Sequence, residues 1–218
     1  LSPLLHNYWF KKYNIDAEYK AVQSEENDLK KIVKKIRNQE IFGANITLPY
    51  KQKIIPEIDE VVNDAKETFS VNTLYFDNDS GKVIGENTDV FGLQAAYLKE
   101  IFENKKTSNN ALVIGAGGVS PSIIVALIKS GLKKISITNR TYEKSVFLRK
   151  KFNFLNLISW EDFPKNLSNF DLIINATSLG LRGNHDFTFL FENFKRSLIY
   201  IDTILSLIHI SEPTRPMN

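Results

Sequence analysis

The sequence predicts an α/β fold in two parts, a smaller α/β domain over residues 1–90 and a parallel-sheet domain over residues 91–204. Ala111 to Ile114 is a short apolar run that stops at Gly115, and Ile135 to Thr138 is a second one. Between them, Val119 to Ser130 carries helical apolar spacing and ends at Gly131. Short, uninterrupted apolar runs flanking a helix are the pattern of parallel strands covered on both faces. Upstream, a long helical pattern from Val90 to about Phe102 and a polar stretch, Lys105 to Asn110, form the joint between the two parts. Before the joint, strand and helix patterns alternate and a hairpin is present.

The elements follow in chain order. Ser2 and Pro3 mark a helix start, with Ser2 as N-cap and Leu4, Leu5, Trp9 and Phe10 as the apolar face. Asp16 to Val22 alternates weakly and predicts a strand. Glu25 to Gln39 predicts an amphipathic helix, with Leu29, Ile32, Val33 and Ile36 at helical spacing. Phe42 to Thr47 predicts a strand, and Pro56 to Thr68 a helix. Val71 to Phe76 and Lys82 to Gly85, joined by Asp77-Asn78-Asp79-Ser80-Gly81, predict a hairpin. Thr88-Asp89 is expected to cap the helix from Val90. Past the glycine-bounded unit, a helix over Glu143 to Phe152 and strands over Leu172 to Asn175 and Leu198 to Asp202 continue the second part.

Gly115 and Gly117 allow a tight turn with no Cβ in the way of a ligand. The first N–H groups of the following helix have no partner within it, and the helix dipole adds partial positive charge. A pyrophosphate can rest on that end if the backbone comes close. The third position of the usual glycine fingerprint is Ser120, still small enough for helix and strand to pack. The glycines alone fit a plain tight turn equally well. With a strand before, a helix after and a second strand closing a unit of about thirty residues, they fit a Rossmann-type dinucleotide-binding domain. The second strand ends in Asn139-Arg140-Thr141, with Lys144 one helical turn on. No carboxylate stands there to accept the ribose 2′-hydroxyl of NAD, whereas Arg140 offers a planar fork of donors to a 2′-phosphate, so NADP is expected. The alternative is that Arg140 is a solvated loop charge. Thr141 is expected to N-cap the helix from Tyr142 in either case.

Composition narrows the classes. The chain has 218 residues, 43% hydrophobic and 24% charged, with a net charge of +3. Such a balance supports a packed core and argues against nucleic acid or an anionic membrane as partner. There are no cysteines, which removes disulfides and thiolate metal sites, and the three histidines, His6, His185 and His209, are scattered, so no metal is expected. No apolar run is long enough to span a membrane, and the default expectation is a soluble, cytoplasmic protein. A small molecule is the expected partner, with a homodimer allowed.

Three polar groupings stand at strand ends or helix starts, where open α/β sheets place ligands. They are Asn45-Ile46-Thr47 with Lys51, Val71-Asn72-Thr73, and Glu86-Asn87-Thr88-Asp89. Taken singly, Lys51 also fits a surface lysine, Asn72 a turn residue and Asp89 an N-cap.

Together with the glycine unit, these residues resemble a known family. Ser2 to Asn7 (SPLLHN), Asn45 to Lys51 (NITLPYK), Val71 to Thr73 (VNT), Gly85 to Asp89 (GENTD), Gly115 to Gly118 (GAGG), Asn139 to Thr141 (NRT) and Asn175 to Gly180 (NATSLG) occur in order. That set, spread over residues 1 to about 204, resembles shikimate dehydrogenase. The resemblance implies NADP-dependent interconversion of 3-dehydroshikimate and shikimate, a step of aromatic amino acid biosynthesis. Lys51 matches the family's catalytic lysine and Asp89 its partner. Ser2, Thr47, Asn72 and Asp89 match substrate contacts, with Asn45 nearby. Cofactor contacts would be Gly115, Ala116, Gly117, Gly118 and Val119, then Asn139, Arg140, Thr141 and Lys144, and the loop Ala176-Thr177-Ser178. The chemistry agrees: a carbonyl oxygen that gains charge as hydride arrives needs a proton, which an ammonium at Lys51 can supply while Asp89 orients it. A dual-specificity quinate/shikimate enzyme and a non-catalytic NADP-binding protein are the alternatives.

Both ends depart from the family pattern. A leading strand and a serine two positions before Ser2 are expected of the family and are not in the chain, nor is the closing helix with its glutamine. Leu205-Ser206-Leu207 stands where the family has a tyrosine and an Asn-Pro pair. Ile208 to Pro216 resembles translated adapter sequence, so residues 205–218 are expected to be a non-native tail on a gene fragment.

Overall fold

The computed structural model describes residues 2–104, 110–179 and 195–203. Of the expected linker, Lys105 to Asn110, residues 105–109 lie outside them and Asn110 instead opens a strand; Gly180 and the expected tail at 205–218 also lie outside.

The first sheet contains β1 (Gly43–Asn45), β2 (Glu60–Val61), β3 (Thr73–Asp77) and β4 (Lys82–Glu86) in the order β1-β3-β4-β2. β3 is antiparallel to β1 and β4, and β2 runs parallel to β4. The register sets Asn45 opposite Thr73 and Thr73 opposite Glu86. One edge of the sheet therefore collects the end of β1, the start of β3 and the end of β4, which are the three polar groupings read from the sequence. Helix α2 (Leu29–Arg37) follows a short 3-10 turn (Glu26–Asp28) and buries Leu29, Val33 and Ile36 against Leu74, Val71 and Val83. Its apolar spacing is the reason it lies on the sheet rather than in solvent.

Several expected elements differ. Helix α1 (Ser2–Lys12) forms with Ser2 as its first residue, but its apolar face is open, and Leu4 is 76% exposed. α1 reaches the rest of the chain through polar and aromatic contacts instead. Asn7 brackets the backbone of Tyr19, donating to its carbonyl at 2.9 Å and accepting its N–H at 2.8 Å, and His6 stacks on the Tyr19 ring at 4.4 Å. Asp16 to Val22 is not a strand, because that backbone bonds to a side chain and not to a neighbouring ladder. Phe42 to Thr47 shrinks to the three residues of β1.

Pro56 to Thr68 is not one helix. It splits into a 3-10 turn (Ile55–Glu57), β2, and helix α3 (Asp64–Thr68). Tertiary pairing decides this: Glu60 and Val61 join β4, the Asp59 carboxylate accepts the Val83 N–H at 2.8 Å, and Asn63 takes a left-handed φ of 50°. A run of β-branched residues at Val61-Val62 offers a helix little resistance to such capture.

The joint helix is continuous over α4 (Asp89–Leu93), a π turn (Gln94–Leu98) and α5 (Lys99–Asn104). Thr88 precedes it but makes no side-chain cap; the Asn87 Oδ1 accepts the Asp89 and Val90 N–H groups at 2.9 and 3.4 Å.

The second sheet is five-stranded and parallel, with β5 (Asn110–Ile114), β6 (Lys134–Thr138), β7 (Asn156–Leu157), β8 (Leu172–Asn175) and β9 (Ile199–Asp202) in the order β7-β6-β5-β8-β9. Strand order reverses at β5, so the crevice beyond the carboxyl ends of β5 and β8 is where such sheets take ligands. Helix α6 (Ser120–Lys129) covers one face with an all-apolar centre, and α7 (Tyr142–Lys151) packs beside it through Leu148. A 3-10 segment (Phe163–Asn169), unforeseen in the sequence, covers the other face with Phe163 and Leu167 against Leu112, Ile114 and Ile173. Thr141 precedes α7 as expected but caps it without a side-chain bond; its carbonyl accepts the Lys144 N–H at 3.1 Å. Among the described residues no helix is long and apolar enough to cross a membrane.

Candidate active site

Lys51 sits in a turn after β1, and its carbonyl accepts the Val71 N–H at 2.8 Å, which ties the turn to the start of β3. Its Nζ lies 2.6 Å from the Asp89 Oδ2, with the two side chains 12% and 27% exposed. A pair this sheltered is held by partners as well as by charge. Asn72 supplies them. Its Nδ2 donates to the Asp89 Oδ1 at 2.8 Å and the Thr88 Oγ1 at 3.0 Å, and its Oδ1 accepts the Thr88 N–H at 3.0 Å and the Thr73 hydroxyl at 2.9 Å. An amide with both ends used has one orientation. It fixes the Asp89 carboxylate, and the carboxylate fixes the ammonium.

Asn45 lies one strand away. Its Nδ2 donates to the Asn72 carbonyl at 3.4 Å and the Thr73 Oγ1 at 3.3 Å, while its Oδ1 accepts the Tyr19 hydroxyl at 3.0 Å. Thr47 is exposed, and its carbonyl accepts the Tyr50 N–H at 2.9 Å in the turn that delivers Lys51. Ser2 is exposed at the start of α1, and the link from α1 to the site runs through Asn7, Tyr19 and Asn45. Thus Lys51, Asn72, Asp89 and Asn45 are brought into one hydrogen-bonded set, while Ser2 and Thr47 stand outside it.

The glycine loop forms the facing wall. Gly115 has a φ of +111°, and a Cβ there would stand 2.9 Å from the Ala176 backbone, so only glycine fits between the β5 and β8 loops. The Ala116 N–H donates to the Asn139 Oδ1 at 3.0 Å, tying the loop to the end of β6. The Ser120 hydroxyl donates to the Gly115 carbonyl at 2.9 Å. A Cβ on Gly117 would meet only the Ala176 carbonyl oxygen, at 3.9 Å, leaving that side of the loop accessible. No acidic residue stands in the first turn of α6, so its N-terminal N–H groups keep their pull on an anion. In the β8 loop, the Asn175 Oδ1 accepts the Thr177 N–H and hydroxyl at 3.0 and 2.7 Å. Ala176 is buried, and Ser178 is exposed. Arg140 and Lys144 are exposed beyond β6, and Asn139 is partly buried beneath them.

A cleft of about 440 Å³ separates the two walls, lined by Leu48, Lys51 and Lys53 on one side and by Ala116, Gly117, Gly118 and Lys144 on the other. A larger groove of about 690 Å³, lined by Asp64, Glu86, Phe91 and Lys129 among others, lies elsewhere and contains neither Lys51 nor the glycine loop. The 440 Å³ cleft is the one that brings Lys51 and the glycine loop to a shared space.

Three contributors had no role assigned to them from the sequence. Tyr19 reaches Asn45 across 26 positions, and no local pattern signals that. Leu48 rests on Gly118, so close that a Cβ on the glycine would stand 2.4 Å from its Cδ2. Asn87 is buried, and its position two residues before the first helical N–H groups is the spacing of an Asx cap, a signal the sequence does contain.

Residues 1–74 match the family model described as shikimate dehydrogenase substrate binding domain, and residues 96–202 match that described as shikimate / quinate 5-dehydrogenase. The shikimate dehydrogenase (NADP(+)) of Pelagibacter ubique is 39% identical over 204 residues, covering 94% of this chain and 74% of that protein. The crystal structure of shikimate dehydrogenase from Aquifex aeolicus superposes with a TM-score of 0.81 at 33% identity, over 93% of this chain and 73% of the other. That of the Thermus thermophilus enzyme in complex with NADP(H) and shikimate gives 0.78 at 26% identity, over 92% and 72%.

Proposed function

We propose that this chain, which belongs to the shikimate dehydrogenase family, reduces 3-dehydroshikimate to shikimate with NADPH and runs the reverse oxidation with NADP. The observation that carries the reading is Lys51, held by Asp89 and through it by Asn72, lining a cleft whose other wall is the glycine loop. We take residues 1–90 as the substrate-binding, catalytic part and 91–204 as the NADP-binding part.

The cradle suits a dinucleotide. The accessible side of Gly117, the free N-terminal end of α6 and the absence of an acid in its first turn all favour a pyrophosphate. Gly115 to Val119, Asn139, Arg140, Thr141 and Lys144, and Ala176 to Ser178 would hold it, with Arg140 and Lys144 facing a 2′-phosphate. When bound, the cofactor supplies or takes a hydride at a ring carbon of the substrate. The protein supplies the rest. The Lys51 ammonium stabilises the oxygen that gains charge and gives it a proton; in the reverse direction the Lys51 amine takes the proton from the hydroxyl. Asp89 keeps the ammonium aimed and offers its second oxygen to a substrate hydroxyl. Asn72, held at both ends of its amide, prevents the carboxylate from turning away. Asn45, Thr47 and Ser2 present polar groups for the remaining substrate oxygens.

The test is NADPH formation from NADP with shikimate and, in parallel, quinate. Comparable turnover of quinate would favour dual specificity, and NADP binding with no response to either would favour a non-catalytic role. A homodimer and a cytoplasmic location are the finer parts of the proposal, checked by light scattering and cell fractionation.

A further inference from the structure

Asn87 lies between the two parts of the chain and touches both. It is 3% exposed, and Ser122, on α6 of the second part, is 1% exposed. The Asn87 Nδ2 donates to the Ser122 Oγ at 3.0 Å and to the Ser70 carbonyl at 2.8 Å, with the Thr68 Oγ1 at 3.2 Å. Its Oδ1 accepts the Asp89 N–H at 2.9 Å. The amide orientation is forced, since the Ser70 carbonyl can only accept and the Asp89 N–H can only donate. Every partner is buried or partly buried, so water cannot substitute without cost.

What the amide joins matters more than its burial. Asp89 is two residues on and holds Lys51. Ser70 is two residues before Asn72, which clamps Asp89 from the other side. Ser122 is in the first turn of α6, two residues after Ser120, whose hydroxyl grips the Gly115 carbonyl of the cofactor loop. A hydrogen-bonded path therefore runs from the glycine loop through Ser120, α6, Ser122, Asn87 and Asp89 to Lys51. Further along α6, Lys129 reaches back to the first part through ion pairs with Asp64 and Glu67, so the helix is seated at both ends.

We infer that Asn87 and Ser122 are positioning residues for the reaction: their hydrogen bond sets the distance between the group that handles the proton and the cradle that holds the hydride carrier. Neither touches substrate or cofactor. The inference rests on the dehydrogenase reading above. Hydride transfer is sensitive to sub-ångström changes in donor–acceptor distance, so a loosened bridge lowers the chemical step while leaving each ligand's own contacts intact.

Ser122→Ala removes the bridge at its second-part end and leaves the other Asn87 bonds in place. The full chain carrying Ser122→Ala should bind NADP and shikimate within about twofold of the unaltered protein, lose about 2–4 °C of thermal midpoint at most, and show kcat lowered about three- to tenfold. The kinetic isotope effect with shikimate deuterated at the carbon that becomes the carbonyl of 3-dehydroshikimate should rise, because hydride transfer becomes more rate-limiting. Asn87→Ala should lower kcat further, and the double variant should be no slower than Asn87→Ala, since the second change removes a bond already gone. Unchanged kcat and isotope effect in Ser122→Ala overturn the inference, whether or not the thermal midpoint falls. Effects that multiply in the double variant overturn it too. If Asn87→Ala does not fold, the Ser122→Ala result decides alone. An unaltered chain that turns over shikimate beside an equally fast Ser122→Ala leaves the enzyme reading standing and the bridge refuted; an unaltered chain without turnover removes the reading and the bridge that rests on it.

Discussion

Strands β5 and β3 each lie inside their sheet, yet they are covered differently. In β5, adjacent residues Leu112 and Val113 are both fully buried, one against Phe163 and Leu167 and the other among the α6 side chains. In β3, Leu74 is 1% exposed under α2, while its neighbour Tyr75 is 38% exposed. The second sheet commits both faces to core and works through loops at its carboxyl edge. In the first, β3 commits one face, and polar side chains gather at one end of the ladder, where Asn45, Asn72 and Asp89 meet. The difference shows where each half can tolerate change: a strand buried on both faces is a fixed mount for a loop, while a strand buried on one face can devote residues to chemistry without opening its core.

The largest expected effect tests whether the halves divide the labour. Lys51→Ala should lower turnover by about 10²–10⁴, the usual contribution of a positioned acid or base, with NADP affinity near that of the unaltered chain. An equal loss of NADP binding, measured by titration, would mean that the first half cannot be altered without disturbing the second. Next come the strands. Leu112→Ala should cost about 2–5 kcal/mol and Val113→Ala about 1.5–3 kcal/mol, so both alternations of β5 are expensive. Leu74→Ala should fall in the Leu112→Ala range, while Tyr75→Ala should cost less than half as much. Denaturant melts that gave Tyr75→Ala the larger loss would end the one-face account of β3.

At the cofactor end, Arg140→Ala should lower the preference for NADPH over NADH about ten- to a hundredfold, the worth of one charge-assisted pair, without moving kcat at saturating NADPH. An unchanged NADPH/NADH ratio of kcat/KM would reassign the 2′-phosphate to Lys144 or elsewhere. The smallest effect is confined to the first half. The Val83 N–H, and after it the Arg37 guanidinium, hold the Asp59 carboxyl below its ordinary 3.8. A depressed carboxyl stabilises the folded state fully above the ordinary value and loses that contribution as pH falls through the lower, folded one. Asp59→Asn should therefore be slightly less stable at neutral pH and no less stable in strong acid. A stability gap that widened on acidification would show that another group carries the acid sensitivity.

The same contrast explains what the sequence disclosed. The second half was legible because Ala111 to Ile114, Ile135 to Thr138 and Leu172 to Asn175 are apolar at nearly every position and punctuated by Gly115 and Gly131, so pattern and burial coincide. The first half was harder. Val61 pairs with Gly85 and Asp59 with Val83, contacts more than twenty positions apart that override any local preference between Pro56 and Thr68. The polar groupings of the site were visible as groupings, since each stood beside a strand or helix boundary. The order within them was not: nothing local says that Asn72 clamps Asp89 while Asn87, two residues before that carboxylate, turns inward to Ser122. Those assignments depend on the register of β3 with β4 and on where α6 docks, and both are properties of the assembled sheets.

Leu48 and Gly118 share one small volume at the mouth of the cleft, and that makes them a single position divided between two parts of the chain. A Cβ on Gly118 would stand 2.4 Å from the Leu48 Cδ2, a flexible tip that must swing away, and both residues line the cleft proposed for the dinucleotide. Gly118→Ala should then weaken NADP binding severalfold, and Leu48→Ala in the same chain should return it; isothermal titration that found no recovery would separate the two sites. Across related sequences, size at one of these places should trade against size at the other. Neither residue's tolerance is its own.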